Sequence, residues 1–262
     1  MNRLKDKVTV IYGNGGVGAK VAKSFAAEGA KVYLVGRNSS KLKAIANAAG
    51  SGERIVTSSL DALNEVEVEE HIAQVISESG RIDVSFNATG LPQTAYQGTP
   101  LAELAIENFL KPITTYSMSH FITARAAVKR MVPQGEGMIL MNTPSPSRIS
   151  VPFMGGMPST WSSIEALSRT ISAEYGPKGI RSVCILTSAM PDTPLIDEVY
   201  SLHANAHGIT YDQFHNLMES KSHNRRLTSI ADLANAAIFL ASDESRALTG
   251  TIFNLSSGIV VH

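Results

Sequence analysis

The feature that most constrains this chain is a glycine run, Tyr12-Gly13-Asn14-Gly15-Gly16-Val17-Gly18. It lies between a β-branched stretch, Val8–Tyr12, and a segment with helical apolar spacing, Ala19–Glu28. Glycines 13, 15 and 18 fit a GxGxxG pattern. Such a turn requires a tight bend, then backbone with no Cβ in the way of a pyrophosphate, then close helix–strand packing. The opening helix adds free N–H groups and the positive end of its dipole, both of which favour an anion. A bare glycine repeat carries little information. Between a strand and a helix, it predicts a dinucleotide site built from Gly13, Asn14, Gly15, Gly16, Val17 and Gly18.

Strand-like and helix-like segments then alternate to the end of the chain. Lys31–Val35, Arg54–Ser58, Ile82–Phe86, Met138–Asn142, Arg181–Leu186 and Thr251–Leu255 read as strands. Lys41–Ala49, Val66–Ser79, Leu101–Leu110, Thr114–Met131, Ser159–Tyr175 and Ile230–Ala241 read as helices. Alternation of this kind makes consecutive strands parallel and puts helices on both faces. The expected fold is therefore α/β, a three-layer Rossmann fold with a parallel doubly wound sheet, in a single domain over residues 1–262. A polar, histidine-rich insertion at about 191–226 breaks the rhythm and reads as a lid over the ligand crevice.

Apolar residues at 44% and charged residues at 18% supply a large core. Lysines and arginines balance aspartates and glutamates at 23 each, which argues against a nucleic-acid or anionic-membrane partner. Cys184 is the only cysteine, so no intrachain disulfide is possible, and its apolar neighbours suggest a buried strand thiol. With no apolar stretch of signal or membrane-span length, a cytoplasmic setting is expected.

The second strand ends in Gly36-Arg37-Asn38-Ser39. A cofactor with a free ribose 2′-hydroxyl wants an acidic residue here. A guanidinium instead suits a 2′-phosphate, which favours NADP(H) over NAD(H), with Arg37 and Asn38 at the site.

Along nearly its whole length the chain resembles a short-chain dehydrogenase/reductase. The resemblance is carried by the glycine turn, Leu60-Asp61, Gly80-Arg81-Ile82-Asp83-Val84, Asn87-Ala88-Thr89-Gly90, Gly179-Ile180-Arg181, Thr249-Gly250 and Ser256-Ser257-Gly258. It implies that Leu60 and Asp61 border the adenine, and that Asn87, Ala88, Thr89 and Gly90 support the middle of the cofactor. Thr187 and Thr193 would line the same crevice, Thr193 by the carboxamide or pyrophosphate. It also implies a homotetramer or homodimer acting on a small molecule. The chain departs from the family in three places: the turn is one residue shorter than TGxxxGxG, Tyr12 replaces its threonine, and Thr187-Ser188 replaces Pro-Gly.

The departures are larger where the family moves protons. Its tetrad is a serine, a tyrosine, a lysine four residues later, and an asparagine. Alignment puts Pro144, Met157, Trp161 and Tyr116 at these positions. Independently of alignment, no tyrosine in the chain is followed by lysine at four or at seven residues. Methionine donates no proton, and an indole N–H is not an ammonium.

Weaker candidates for the acid are Tyr116 with His120, four apart on one helix face, and a hydroxyl from Ser145 or Ser147. The simpler expectation packs Tyr116 and His120 in a helix interface between subunits. Asp192 reads as a helix cap. His203 and His207 have spacing for a metal, but with His215 and His223 they are expected to be solvated lid residues, and no metal is assigned. Three functions remain open: an oxidoreductase with an atypical site, a redox-inert relative that binds NADP(H) or a ligand as a sensor, and a cyclase or isomerase working without hydride.

Overall fold

The computed structural model describes residues 2–50 and 52–261. Seven strands form one sheet: β1 (Val8–Tyr12), β2 (Lys31–Gly36), β3 (Ile55–Ser59), β4 (Val84–Asn87), β5 (Gly137–Pro144), β6 (Ile180–Thr187) and β7 (Ile252–Leu255). Their order is β3-β2-β1-β4-β5-β6-β7, and every pairing is parallel. The helices between them are α1 (Gly16–Ala27), α2 (Ser39–Asn47), α3 (Glu65–Ser79), α4 (Ile106–Gln134), α5 (Met157–Tyr175), α6 (Pro194–His207), α7 (Tyr211–Ser220) and α8 (Ile230–Ala241). This is the doubly wound Rossmann architecture that the alternation predicts.

Both sheet faces are covered, so the strands are apolar on both sides. Val8, Val10 and Tyr12 of β1 face α3, α4 and α5 with Tyr33, Val35, Ile139 and Met141. Ile11, Val32, Leu34, Phe86 and Leu140 face α1, α2 and α8 with Phe25, Leu42 and Leu233. Cys184 lies in the first layer, fully buried, with burial pushing its thiol up to about 12. It is an inert strand thiol, as its neighbours suggest.

Two expectations need correction. The segments read as separate helices, Leu101–Leu110 and Thr114–Met131, overlap one long helix, α4, which runs through Pro112. Proline removes one N–H and disfavours helix in the residue before it. Here the side-chain hydroxyl of Thr114 donates to the Leu110 and Lys111 carbonyls, each at 3.1 Å, and Pro112 is itself buried on the packed face. Tertiary burial outweighs the local signal. The insertion at 191–226 is likewise more ordered than its polarity suggests. It folds as the α6–α7 hairpin with its own core of Ile196, Tyr200, Ala204, Phe214, Met218 and Leu227.

Three histidines, His71, His120 and His203, are buried, and burial pushes each down to about 4. They are neutral in the fold, while the unfolded chain titrates near 6.5. Between those values the unfolded state holds more protons, so stability falls as pH drops from about 6.5 toward 4, by about 3 kcal/mol per histidine at most. Thermal melting followed from pH 8 to pH 4 should show a steep decline over that window, with His71→Phe flattening part of it. A melting temperature constant between pH 6.5 and 4.5 would contradict neutral burial.

Candidate active site

The site forms where β1 and β4, neighbours in the sheet but far apart in sequence, send their chains to opposite faces. In open α/β sheets the ligand crevice lies at this switch point, beyond the carboxyl ends of the strands. The glycine turn shapes it. Gly13 has φ of +113° and donates its N–H to the Val35 carbonyl at 2.8 Å. A Cβ on Gly18 would stand 1.9 Å from the Gly13 carbonyl oxygen, and one on Gly13 would stand 2.4 Å from that of Ala88. These glycines let α1, β1 and β4 converge. Gly15 differs, because a Cβ there would meet nothing within 4 Å.

Gly15 is also the N-cap of α1, and no side chain caps that helix. By contrast, Asn38, Asn64, Thr210 and Ser229 cap α2, α3, α7 and α8. The first N–H groups of α1 therefore point at open space beside Gly15, a cradle fit for a diphosphate. Thr193, at the start of α6, flanks it, with its Cγ2 3.4 Å from where a Cβ on Gly16 would lie. Despite the shortened turn, the residues present fit a dinucleotide.

On the adenine side, Arg37 is exposed, and its guanidinium makes no hydrogen bond or ion pair among the described residues. Asn38 is committed to capping α2 through Lys41 N at 2.9 Å, and its carbonyl receives the Asn14 amide at 3.5 Å. Leu60 is anchored by its N–H to the Gly36 carbonyl, and Asp61 accepts from Leu63 N at 3.0 Å. In the middle, Asn87 is buried, donates to Thr123 at 3.0 Å, and accepts from the backbone and hydroxyl of Thr89. Ala88 N donates to the Tyr12 carbonyl at 2.7 Å, holding this strand end against the glycine turn. Tyr12 itself is fully buried with its hydroxyl unpartnered, and burial raises its pKa. Thr187 is buried on β6, within 3.4 Å of the Asn142 amide.

The positions aligned with the proton-moving residues are apolar or already engaged. Met157 opens α5 fully buried, and Trp161 lies one turn on, also buried. Both share a cluster with Met154, Tyr116, Leu91 and Val151. Pro144 ends β5. Ser145 is buried, while the Ser147 hydroxyl donates to Glu165 at 2.5 Å and is committed there. Glu165, buried on α5, also binds Arg148 at 2.7 Å and Thr143 at 3.3 Å.

Tyr116 and His120 do not form the proton-transfer pair considered for them. His120 Nδ1 bonds the Tyr116 backbone carbonyl at 2.9 Å, and the Tyr116 hydroxyl accepts from Leu91 N at 3.1 Å. Nor do they lie on a subunit interface, because both are buried within the single chain. Asp192 caps α8 by accepting Ile230 N at 2.9 and 3.0 Å, as read.

The lid histidines split. His207 and His223 are exposed and His215 half-buried beside Glu219, but His203 is buried against Phe214, with Nε2 2.9 Å from Gln97. The solvated reading therefore fails for His203, because the lid brings its own aromatic core. No group of three or more metal-ligating side chains comes together among the described residues.

Three residues went unread in the sequence: Gln93, Gln97 and Glu198. Glu198 of α6 accepts from Gln93 N, Thr94 N and Thr94 Oγ1 at 2.7, 2.8 and 2.6 Å, clamping the lid onto the loop that follows β4. No local pattern announces a contact between residues a hundred positions apart.

A sequence model of the family described as enoyl-(acyl carrier protein) reductase matches residues 11–260. The chain belongs to the short-chain dehydrogenase/reductase family. Among family relatives, "short chain aldehyde dehydrogenase 1" of Euphorbia lathyris is 27% identical, aligned over 99% of this chain and 90% of its own length. The fold is also that of NAD+-bound xylitol dehydrogenase, with a TM-score of 0.91 at 22% identity, covering 97% of this chain and 99% of that one. A variant of actinorhodin polyketide ketoreductase with NADPH superposes with a TM-score of 0.88 at 19% identity, covering 98% of each chain. No described helix is long and apolar enough to cross a membrane.

Gly15 and Gly18 separate ligand from fold. Gly15→Ala should leave the melting temperature within about 2 °C, since an exposed, unstrained substitution costs about 0.5 kcal/mol at most, yet weaken dinucleotide binding at least tenfold. Gly18→Ala should lower the melting temperature as well. Calorimetric titration beside thermal melting checks both, and unchanged dinucleotide affinity in Gly15→Ala would refute the cradle.

Proposed function

We propose that this family member is an NADP(H)-dependent oxidoreductase that acts on a small, largely apolar substrate through a site without the family's tyrosine–lysine acid. One observation carries the reading: the glycine cradle is open and uncapped, while the residues aligned with that tyrosine and lysine are buried and apolar. The cradle at Gly15 is what a bound dinucleotide needs. Met154, Met157 and Trp161 share one buried apolar cluster, suited to an uncharged or delocalised substrate.

Arg37 supports NADP(H). Its fork stands free beyond β2, with no carboxylate following it at the strand end to repel a 2′-phosphate. Bound NADPH supplies a hydride. The residues of this chain position that cofactor and exclude water, and positioning is the larger part of such catalysis. Substrates that demand little of a protein acid fit best, such as iminium ions or activated alkenes. The family's description as an enoyl reductase agrees with the alkene, and the relative's name as a dehydrogenase favours redox chemistry over a sensor or cyclase.

The α6–α7 hairpin serves as the lid in this reading. A homotetramer or homodimer in the cytoplasm is its expected form, with Ile106, Leu110, Met118 and Phe121 left exposed along α4 for a second subunit. Static light scattering should therefore give the mass of two or four chains, and a mass of one chain would remove the oligomer from the proposal.

Trp161 is the only tryptophan, which makes the decisive test simple. The indole is excited while NADPH, or separately NADH, is titrated, and energy transfer to the dihydronicotinamide is followed. Saturable transfer with NADPH preferred is expected. Arg37→Ser should weaken NADPH roughly 10- to 100-fold, as loss of a charged hydrogen-bonding partner does, while leaving NADH nearly unchanged. No transfer with either nucleotide would overturn the function.

A further inference from the structure

On the β4 side of the crevice, the Tyr116 hydroxyl is engaged only as an acceptor among the described residues. The Tyr116 hydroxyl lies 3.9 Å from where a Cβ on Gly90 would be, at the turn leaving β4, on the half of the crevice opposite Arg37. Its oxygen accepts the Leu91 N–H at 3.1 Å. A phenol engaged in this way still has its own proton to give. Among the described residues no acceptor receives that proton. Burial raises the Tyr116 pKa, so the group is a neutral donor.

Behind it runs a buried chain of donors that begins in the lid. His203 Nε2 lies 2.9 Å from Gln97 Oε1, which can only accept, so this nitrogen carries the proton of the neutral ring. Gln97 Nε2 then donates to Gln93 Oε1 at 2.6 Å, and Gln93 Nε2 donates at 2.5 Å to the carbonyl of Leu91, the residue whose N–H holds the phenol. Every donor points the same way, from α6 toward Tyr116. Each link is buried, where a misdirected amide would leave a polar group unpaired at a cost. The lid thereby fixes which way the phenol can face.

We propose that Tyr116 is the hydrogen-bond donor to a sugar hydroxyl in the nicotinamide half of the bound dinucleotide, and that His203, through Gln97 and Gln93, is the positioning residue that orients it. The proposal rests on the dinucleotide reading above. It gives the chain a way of gripping the reactive half of the cofactor with no lysine at position 161.

The test compares two probes, NADPH and adenosine 2′,5′-bisphosphate, which lacks the nicotinamide half. NADH and AMP form the matched pair if the unphosphorylated cofactor is preferred. Affinities are measured by calorimetry on the full chain, with thermal melting alongside. Tyr116→Phe should bind NADPH roughly 3- to 10-fold more weakly, the loss of one neutral hydrogen bond, and bind the bisphosphate within twofold of wild type. His203→Phe, remote from the crevice, should shift the same ratio in the same direction by less, and His203→Gln, which keeps a donor, should restore it. This second pair carries the test if Tyr116→Phe fails to fold. Equal weakening of both probes, or of neither, would overturn the role of Tyr116 and leave the dinucleotide site standing. An unaltered ratio in His203→Phe would overturn the lid's part. Wild-type protein that binds neither probe would sink this proposal together with the function on which it rests.

Discussion

How closely α1 can approach β1 governs the rest of the active edge. With 1.9 Å between a would-be Cβ on Gly18 and the Gly13 carbonyl, the helix can begin where it does only because residue 18 has no side chain. The same economy at Gly13 lets the turn after β1 press against the Ala88 carbonyl, so two strand ends meet before their chains part. From that approach follow the direction of the α1 N–H groups, the open space at Gly15 and the placing of Asn87 to Leu91 on the far lip. Packing and ligand cradle are here one constraint. Side chains elsewhere in the crevice can change without disturbing it.

That independence accounts for the proton-moving positions. A phenol and an ammonium at the head of α5 would each bring a desolvation cost to a place that is buried here. Met157 and Trp161 instead each contribute about 1.5–3 kcal/mol by leaving water. The polar groups that remain nearby confirm the neutrality: His120 is neutral and tied to backbone, and Ser147 and Thr143 serve the buried Glu165.

The sheet was legible in the sequence because a parallel strand buried on both faces is a short run of β-branched and apolar residues, such as Val8–Tyr12 or Arg181–Leu186. The glycine turn was legible for the opposite reason, since it is defined by what side chains must not do. Pro112 misled because a helix as long as α4 takes its stability from the burial of Tyr116, His120 and Thr123, none of which a local rule weighs. His203 misled because its surroundings are supplied by Phe214 on the next helix and Gln97 a hundred residues earlier. The role of Tyr116 depends on Leu91 and Gln93, which share no periodicity with it. Each contact that escaped the sequence is long-range and polar, and one side chain there says nothing about its partner.

Two of the contacts that hold the lid differ in electrical character. Glu198 grips Gln93 and Thr94 as a carboxylate, and those hydrogen bonds, Thr94 Oγ1 foremost, hold its pKa below the usual range. This clamp keeps its charge well into acid. His203 grips Gln97 as a neutral ring and loses that form only near pH 4. Across the neutral range neither of these two contacts changes its protonation. The loop that Glu198 clamps is also the one whose Leu91 N–H holds the Tyr116 hydroxyl on α4, the group proposed to meet the cofactor. Occupancy of the crevice and seating of the lid are then linked through one set of side chains, and energy gained at either must appear at the other.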